Sequence, residues 1–382
     1  MTPLTPHRAL AAAVAAAGAA VVLANRVDPD ESRALGACLL ALGALGVALP
    51  DPPGDGARPA ARAARAVHRA LELAAVLLLV LAGGEWTVRR ENGIAQRAYE
   101  GRLMRFVDDP VLRYEMQPDV SCGEGATNAL GMFDPPRELA KPENTLRVAC
   151  LGDSVGGDCS LPRDNACAAL ERILTEARGG RPTEVLNFSV PGYSTLQEAR
   201  ALEQKALPFA PDAVVVLYVI NDPYPDLAIS HFIPGHFKFQ HLLWSGARLA
   251  AWRLVSPSID PFGGLFQELH DSPRSWDGVV VAGLDRIRAA AAGAPVAVAV
   301  FPMFIDPLPP GYPAIYAKVA REAERHGFLG VDLSEAAYRG EPLDALLKPS
   351  RDIIHPNARA HRLAAEAIAR ALLARHPELA AR

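Results

Sequence analysis

An apolar run that ends in a Gly-Asp-Ser turn limits the fold of this chain more than any other stretch. Leu146 to Leu151 has the length and apolar character of a buried strand, and the turn Gly152–Ser154 follows it directly. A helical pattern then covers 163–177. Open parallel sheets bind their ligands at the carboxyl ends of the strands, so Ser154 is a candidate functional residue. The same residue types are common in ordinary turns, so this hypothesis needs partners elsewhere in the chain.

Strand and helix patterns alternate through the rest of the chain. Apolar and β-branched runs predict strands at 185–189, 213–220, 296–301 and 328–333. Helical spacing predicts helices at 196–207, 276–292, 314–326 and 357–374. This alternation is typical of a parallel sheet with helices on both faces. It predicts an α/β domain at 146–382 with three layers (αβα), in which helices cover both faces of a mostly parallel sheet of about five strands.

The interval 223–275 breaks the alternation and is interpreted as a lid-like insertion, because long insertions between elements often form lids or binding loops. Its histidines follow a spacing of five, which fits neither one helix face nor a metal site: His231, His236 and His241. Its aromatic residues are Phe232, Phe237, Phe239, Trp244 and Trp252. Three interpretations of them stay open: lining an acyl or glycan site, touching a bilayer, or packing the insertion onto the sheet.

Three apolar runs precede the globular part, at about 9–24, 34–50 and 70–85. Each is slightly shorter than the ~20 residues that cross a bilayer comfortably, and we predict three transmembrane helices in a membrane region at 1–86. Arginines concentrate in the connection between the second and third runs, so the positive-inside rule places the N-terminus in the cytoplasm and the C-terminal domain outside it. Two alternatives are a cleaved signal peptide at the first run and a soluble alanine-rich helical bundle.

A stalk and lead-in segment is predicted at 87–145. Its first part, 87–107, has a charged helical pattern, and 114–136 is rich in turn residues without clear periodicity. The whole chain carries a formal net charge of −4 and no basic stripe, which argues against a nucleic-acid partner.

The five cysteines show no CxxC pair and no metal-ligand spacing. Cys150 lies inside a predicted strand and is interpreted as a small buried hydrophobe. In an oxidising compartment, Cys122, Cys159 and Cys167 would be able to supply one disulfide, and the sequence alone does not pair them.

The partners that a nucleophilic serine needs occur at other predicted strand ends or in a loop that leads to the same sheet edge. A serine hydroxyl requires a base, and the base requires a group that orients it; Asp352 and His355 stand three residues apart just before the last helix. Acyl transfer also needs donors for the developing oxyanion, and Gly192 and Asn221 each follow a predicted strand. Each residue alone has an ordinary interpretation as a turn or cap. Their shared position at one sheet edge favours a catalytic group with Ser154.

These motifs, Gly152-Asp153-Ser154, Gly192, Asn221 and Asp352-Ile353-Ile354-His355, occur in the order of the four motif blocks of the SGNH (GDSL) hydrolases. The chain resembles that family over about 146–373, and its lead-in is similar to that of membrane-anchored bacterial members. The resemblance implies a flavodoxin-like αβα fold without a metal or organic cofactor. It implies Ser154 as nucleophile, His355 as base, Asp352 as its orienter, and an oxyanion hole of the Ser154 and Gly192 N–H groups with the Asn221 side chain.

A rival family is weighed against this one. Gly152 to Gly156 also satisfies the G-x-S-x-G elbow of α/β-hydrolases. That fold needs several strands and an oxyanion loop before the elbow, whereas apolar runs, a stalk and turns precede it here. The triad acid would also stand well upstream of the histidine. We therefore reject the rival.

The first hypothesis is a serine esterase that cleaves O-acyl esters of an extracytoplasmic glycan or lipid through an acyl-enzyme on Ser154. With the predicted spans, it would be a multi-pass protein of the bacterial inner membrane. The second is an O-acyltransferase to a cell-envelope or exported polysaccharide with the same triad. The third is a non-catalytic envelope binding or assembly protein. The sequence leaves the substrate, the acyl chain length and the oligomeric state open.

Overall fold

The computed structural model of the protein describes residues 103–381 apart from 123–124, 158–162, 225–263, 306 and 349–352, together with Val67, Arg69 and Ala70. The chain forms two compact units, and every strand and helix named below belongs to the unit of Ala98–Ile229 and Trp252–Arg382. Two predicted membrane spans, 9–24 and 34–50, lie outside the described residues, as does the third beyond Ala70. Within the described part of the chain, no helix combines the length and the apolar character needed to cross a membrane.

The strands are β1 (Met104–Phe106), β2 (Tyr114–Met116), β3 (Ser121–Cys122), β4 (Gly125–Ala126), β5 (Leu146–Gly152), β6 (Thr183–Asn187), β7 (Ala213–Tyr218), β8 (Val296–Val300) and β9 (Leu329–Asp332). The α-helices are α1 (Ala166–Ala177), α2 (Thr195–Ala201), α3 (Leu265–Asp271), α4 (Pro273–Ser275), α5 (Ala282–Ala291), α6 (Tyr312–Arg325), α7 (Leu333–Ala336), α8 (Ala358–Arg375) and α9 (Glu378–Ala381).

The last five strands form one sheet in the order β6-β5-β7-β8-β9, and every neighbouring pair in it is parallel. All residues of β5 and β7 are buried, as expected for central strands of a parallel sheet covered on both faces. Helix α1 packs against α8, and α2 packs against α5, which gives the two helical layers. The prediction of an α/β domain with a parallel sheet of about five strands is confirmed.

Side-chain caps fix where the helices begin. The Asn165 side chain accepts from Ala168 N–H at 2.9 Å at the start of α1, and the Asn357 side chain accepts from Ala360 N–H at 3.1 Å at the start of α8. Ser194 and Gln197 form a capping box at the start of α2. Two predicted helices contain irregular turns: α2 continues as a π-helix over Leu202–Ala206, and α5 is preceded by a π-helix over Trp276–Val281.

A buried arginine joins the lead-in segment to the sheet. Arg147 on β5 is completely buried and its guanidinium pairs with Glu184 at 2.6 Å. It also donates to backbone carbonyls of four residues, Glu138, Leu139, Ala140 and Phe209. The planar fork of five N–H donors suits this role, because each buried carbonyl would otherwise lose its hydrogen bond to water.

The end of the predicted stalk is not helical. Met104–Phe106 is a strand, and it pairs antiparallel with Tyr114–Met116. The helical interpretation of 87–107 is therefore wrong at 104–106, because strand pairing buries Met104 and leaves Phe106 44% exposed. The hairpin β3–β4 and β2 lie in 114–136, where the sequence is rich in turn residues and shows no clear periodicity.

Cys150 is buried, as predicted, but it is not an unpaired hydrophobe. It forms a disulfide with Cys167, with a Cα–Cα distance of 6.2 Å. Cys167 lies in the first turn of α1, and that turn packs back onto β5, which the spacing along the chain does not reveal. Cys159 and the Cys122 side chain lie outside the described residues. The same holds for these histidines and aromatic residues of the predicted insertion: His231, His236, His241, Phe232, Phe237, Phe239, Trp244 and Trp252.

Candidate active site

Ser154 lies in the turn that follows the central strand β5, at the carboxyl edge of the sheet. This turn packs so closely against the segment after β6 that a side chain at Gly156 would collide with it. An added Cβ at Gly156 would lie 2.1 Å from Ser189 Oγ and 2.7 Å from Ser189 Cβ. A glycine is therefore required beside Ser154, which explains why the turn has this composition.

His355 meets Ser154 directly: its Nε2 lies 2.8 Å from Ser154 Oγ. The loop that carries His355 is anchored to Leu347 by the two residues that follow the histidine. Pro356 forms an isolated bridge with Leu347, and the Asn357 side-chain amide donates to Leu347 O at 3.0 Å. The two candidate residues are 201 positions apart in the chain, and the fold brings these two sequence motifs into contact.

The Ser154 hydroxyl has one proton and two acceptors within reach. His355 Nε2 is at 2.8 Å and Asp153 Oδ2 is at 3.2 Å. When the hydroxyl donates to an imidazole nitrogen that carries no proton, the histidine is placed to act as general base. When it donates to Asp153, the serine is not activated. The shorter contact favours the first arrangement.

Asp153 links Ser154 to Asn221. The Asn221 side-chain amide donates to Asp153 Oδ2 at 3.1 Å, which is the oxygen that also faces Ser154 Oγ. The other carboxyl oxygen accepts from Val155 N–H at 2.9 Å. A side-chain amide has two N–H donors, so the Asn221 hydrogen bond to Asp153 orients the group and leaves one donor for an oxyanion beside Ser154.

Gly192 lies in the loop after β6, next to β5 in the sheet. Val190 N–H donates to Gly152 O at 3.1 Å, so this loop continues along the end of the strand that leads to Ser154. Gly192 has a φ of +80°, a conformation that favours glycine. Asp352, the predicted orienter of His355, lies outside the described residues.

Two fully buried carboxyl groups lie behind this site. The oxygens of Glu198 and Asp222 make no hydrogen bonds within the described structure. Burial, followed by the charge of Asp153, raises the pKa of Glu198 well above its usual range. Burial raises the pKa of Asp222 in the same direction, with Glu198 and Asp153 adding to the effect. Both groups therefore favour the protonated form, because an isolated charge is costly in a dry interior.

The buried histidine His361 adds no positive charge to the site. Burial, with smaller contributions from Lys348 and His355, lowers the pKa of His361 to about 3. His361 is therefore neutral at physiological pH. In the described ranges, no group of three or more histidine, cysteine or acidic residues could hold a metal ion.

Sequence reasoning missed three features of the site. Asp153 belongs to the Gly-Asp-Ser motif, but the sequence does not reveal that it links Ser154 to Asn221. Asp222 directly follows Asn221 and offered a signal, since an acidic residue at a buried strand end needs an explanation. Glu198 gave no signal, because a glutamate on an amphipathic helix is ordinarily exposed.

A parallel sheet that carries a serine–histidine pair at its carboxyl edge is the arrangement of a serine hydrolase. Residues 150–363, more than half of the chain, match the model of the GDSL-like Lipase/Acylhydrolase family. The chain therefore belongs to the GDSL-like lipase/acylhydrolase family, and it is a carboxylic ester hydrolase. The match begins inside β5 and ends in α8, so it contains all the candidate site residues. A comparison with curated proteins finds no match.

Solved structures of the same type are similar to the chain at low identity. A putative GDSL-like lipase from Parabacteroides merdae is 14% identical, with a TM-score of 0.39, over 62% of this chain and 99% of that one. Axe2, an acetylxylan esterase from Geobacillus stearothermophilus, is 16% identical, with a TM-score of 0.37, over 59% of this chain and 94% of that one. At these scores neither structure carries an argument about the substrate of this protein.

The buried carboxyl groups make a prediction about stability. Above the pH at which carboxyl groups ionise in the unfolded chain, the folded protein holds protons on Glu198 and Asp222 that the unfolded chain has released. The contribution of these two groups to the free energy of unfolding then falls as pH rises, by up to about 1.4 kcal/mol per pH unit for each proton retained. We expect Glu198→Gln to remove one such contribution, so that the stability of the variant relative to the wild type increases between pH 5 and pH 8.

Urea unfolding at several pH values measures this difference. Glu366→Gln, on an exposed part of α8, is the matched control and should track the wild type. Buried neutral histidines contribute the opposite slope at low pH, but they are unchanged in the variant and cancel in the comparison. Parallel curves for Glu198→Gln and the wild type from pH 5 to pH 8 would show that Glu198 is ionised in the fold.

Proposed function

We propose that Ser154 is the nucleophile of this ester hydrolase and that His355 is its general base. One observation carries the proposal: the 2.8 Å contact between Ser154 Oγ and His355 Nε2 at the carboxyl edge of the sheet. A serine hydroxyl is a weak nucleophile unless a base within hydrogen-bond distance accepts its proton during attack. Asp352 is proposed, from its spacing in the sequence, as the residue that orients His355.

The reaction proceeds in two halves. His355 takes the Ser154 proton while Ser154 Oγ attacks the ester carbonyl, and the tetrahedral intermediate collapses as the alcohol leaves with the proton from His355. Water then attacks the acyl group on Ser154 as His355 accepts a proton from that water. The second tetrahedral intermediate collapses when His355 gives this proton to Ser154 Oγ, and the acid is released. In both halves the negative oxygen accepts hydrogen bonds from the Ser154 and Gly192 N–H groups and from the second Asn221 amide hydrogen.

The proposed substrate is an O-acyl ester of a glycan or lipid on the outer side of the bacterial inner membrane. Two observations support this location. The apolar runs and the arginine-rich connection favour a membrane-anchored chain whose C-terminal domain is outside the cytoplasm. The disulfide between Cys150 and Cys167 fits an oxidising compartment, because cytoplasmic thiols are kept reduced.

The nucleophile and base are tested by hydrolysis of 4-nitrophenyl acetate with the full-length protein. Ser154→Ala and His355→Ala should each lower kcat by roughly 10³-fold or more, since the two residues act as a unit. Ser334→Ala and His376→Ala remove the same side chains elsewhere and should stay close to the wild type. Activity that survives either Ser154→Ala or His355→Ala would rule out the proposed mechanism.

The location is tested through the thiols. In a full-length chain with Cys38, Cys122 and Cys159 changed to serine, a maleimide added to unfolded protein should label nothing until a reductant is added. The same background with Cys167→Ser leaves one thiol, on Cys150, and should be labelled at once. Labelling of both Cys150 and Cys167 without a reductant would contradict an oxidising location.

A further inference from the structure

The loop that carries Gly192 is held by a segment outside the family match. The hairpin β1–β2 precedes the matched residues, which begin at 150. Tyr114 on β2 and Tyr193 beside Gly192 are both 1% exposed, and their rings meet edge to face with centroids 5.2 Å apart. The lead-in segment therefore packs directly against the candidate oxyanion loop.

Two reciprocal hydrogen bonds join these tyrosines to the backbone. Tyr193 Oη donates to Tyr114 O at 2.6 Å, and Tyr114 Oη donates to Pro191 O at 3.1 Å. Gly192 lies between the two residues that are held in this way. The hydroxyl groups differ in one respect: only the Tyr114 hydroxyl binds a carbonyl of the loop itself.

The helix after the loop is tied to the same segment. The Gln197 side-chain amide donates to Leu112 O at 2.9 Å, and its oxygen accepts from Ser194 N–H at 3.1 Å. Arg200 on α2 pairs with Asp109 at 2.9 Å. These contacts fix the α2 end of the short connection from Pro191 to α2, so loss of one tyrosine hydroxyl should not displace the whole loop.

The carbonyl that Tyr114 binds belongs to the same peptide unit as the Gly192 N–H. In a planar trans peptide, the C=O and the N–H point in opposite directions. A donor that holds the Pro191 carbonyl on one side therefore directs the Gly192 N–H to the other side. Glycine at φ +80° has little steric resistance to rotation of this peptide, so the direction of its N–H depends on what the carbonyl binds.

We propose that Tyr114 is a positioning residue for ester hydrolysis: through Pro191 O it orients the Gly192 N–H toward the oxyanion. The inference rests on the proposed function, in which Gly192 is an oxyanion donor. It assigns the lead-in hairpin to the catalytic unit, although the family match excludes it. The Tyr114 hydroxyl also polarises the peptide, because a hydrogen bond to a carbonyl strengthens the N–H of the same unit as a donor.

The test compares Tyr114→Phe with Tyr193→Phe in the full-length protein. Both variants keep the ring and lose one buried hydroxyl that donates to a backbone carbonyl, so both should lower the thermal unfolding midpoint by a similar amount. Loss of one complete oxyanion donor costs about 10²–10³-fold in kcat, and a misdirected donor costs less. We expect Tyr114→Phe to lower kcat roughly 10–100-fold with little change in KM, and Tyr193→Phe to stay within about threefold of the wild type.

Thermal melts followed by circular dichroism ensure that kcat is compared for folded protein. An unchanged kcat in folded Tyr114→Phe would overturn the inference, and equal losses of kcat in both tyrosine variants would show that the pair is only structural. A wild-type protein without esterase activity, or an active Ser154→Ala, would instead reject the proposed function. The two failures are therefore distinguishable.

Discussion

The parallel order of the strands is the constraint on which the site depends. Ser154 follows β5, the loop of Gly192 follows β6, and Asn221 follows β7, and in the sheet order these three strands are neighbours with β5 in the middle. Parallel strands end at the same edge, so one serine is flanked on both sides by candidate oxyanion donors. His355 reaches the same place from the loop before α8. The shared edge thus gathers residues from four distant parts of the chain.

The buried polar groups near this edge combine hydrogen bonds to Asp153 with two carboxyl groups that favour the protonated form. Asp153 accepts hydrogen bonds from the Val155 N–H and the Asn221 amide and lies 3.2 Å from Ser154 Oγ, so its position determines the orientation of the other groups. The nearby carboxyl groups of Glu198 and Asp222 are buried with raised pKa values. Because protonated acids are neutral, they avoid the repulsion that three charges would create in one dry region. The site therefore combines a directed hydrogen-bond network with little buried charge.

The sequence predicted the parts that depend on local pattern and on motif order. The alternation of strands and helices identified every strand of the main sheet, and the motif order predicted the meeting of Ser154 with His355. It did not predict the β1–β2 hairpin, because three-residue strands give too few positions for a periodic signal. It did not pair Cys150 with Cys167 or find the Tyr114–Tyr193 contact. Those contacts depend on how separate elements pack, which is long-range information.

The central claim is that Ser154 is the activated nucleophile. Diethyl 4-nitrophenyl phosphate tests it directly: attack by Ser154 Oγ forms a Ser–O–P bond and releases 4-nitrophenolate, while His355 takes the serine proton. Incubation of the full-length protein, followed by mass spectrometry of its peptides, should show one diethylphosphoryl group on Ser154 and a parallel loss of esterase activity. A phosphorylated residue other than Ser154, or full activity in protein modified at Ser154, would contradict this account.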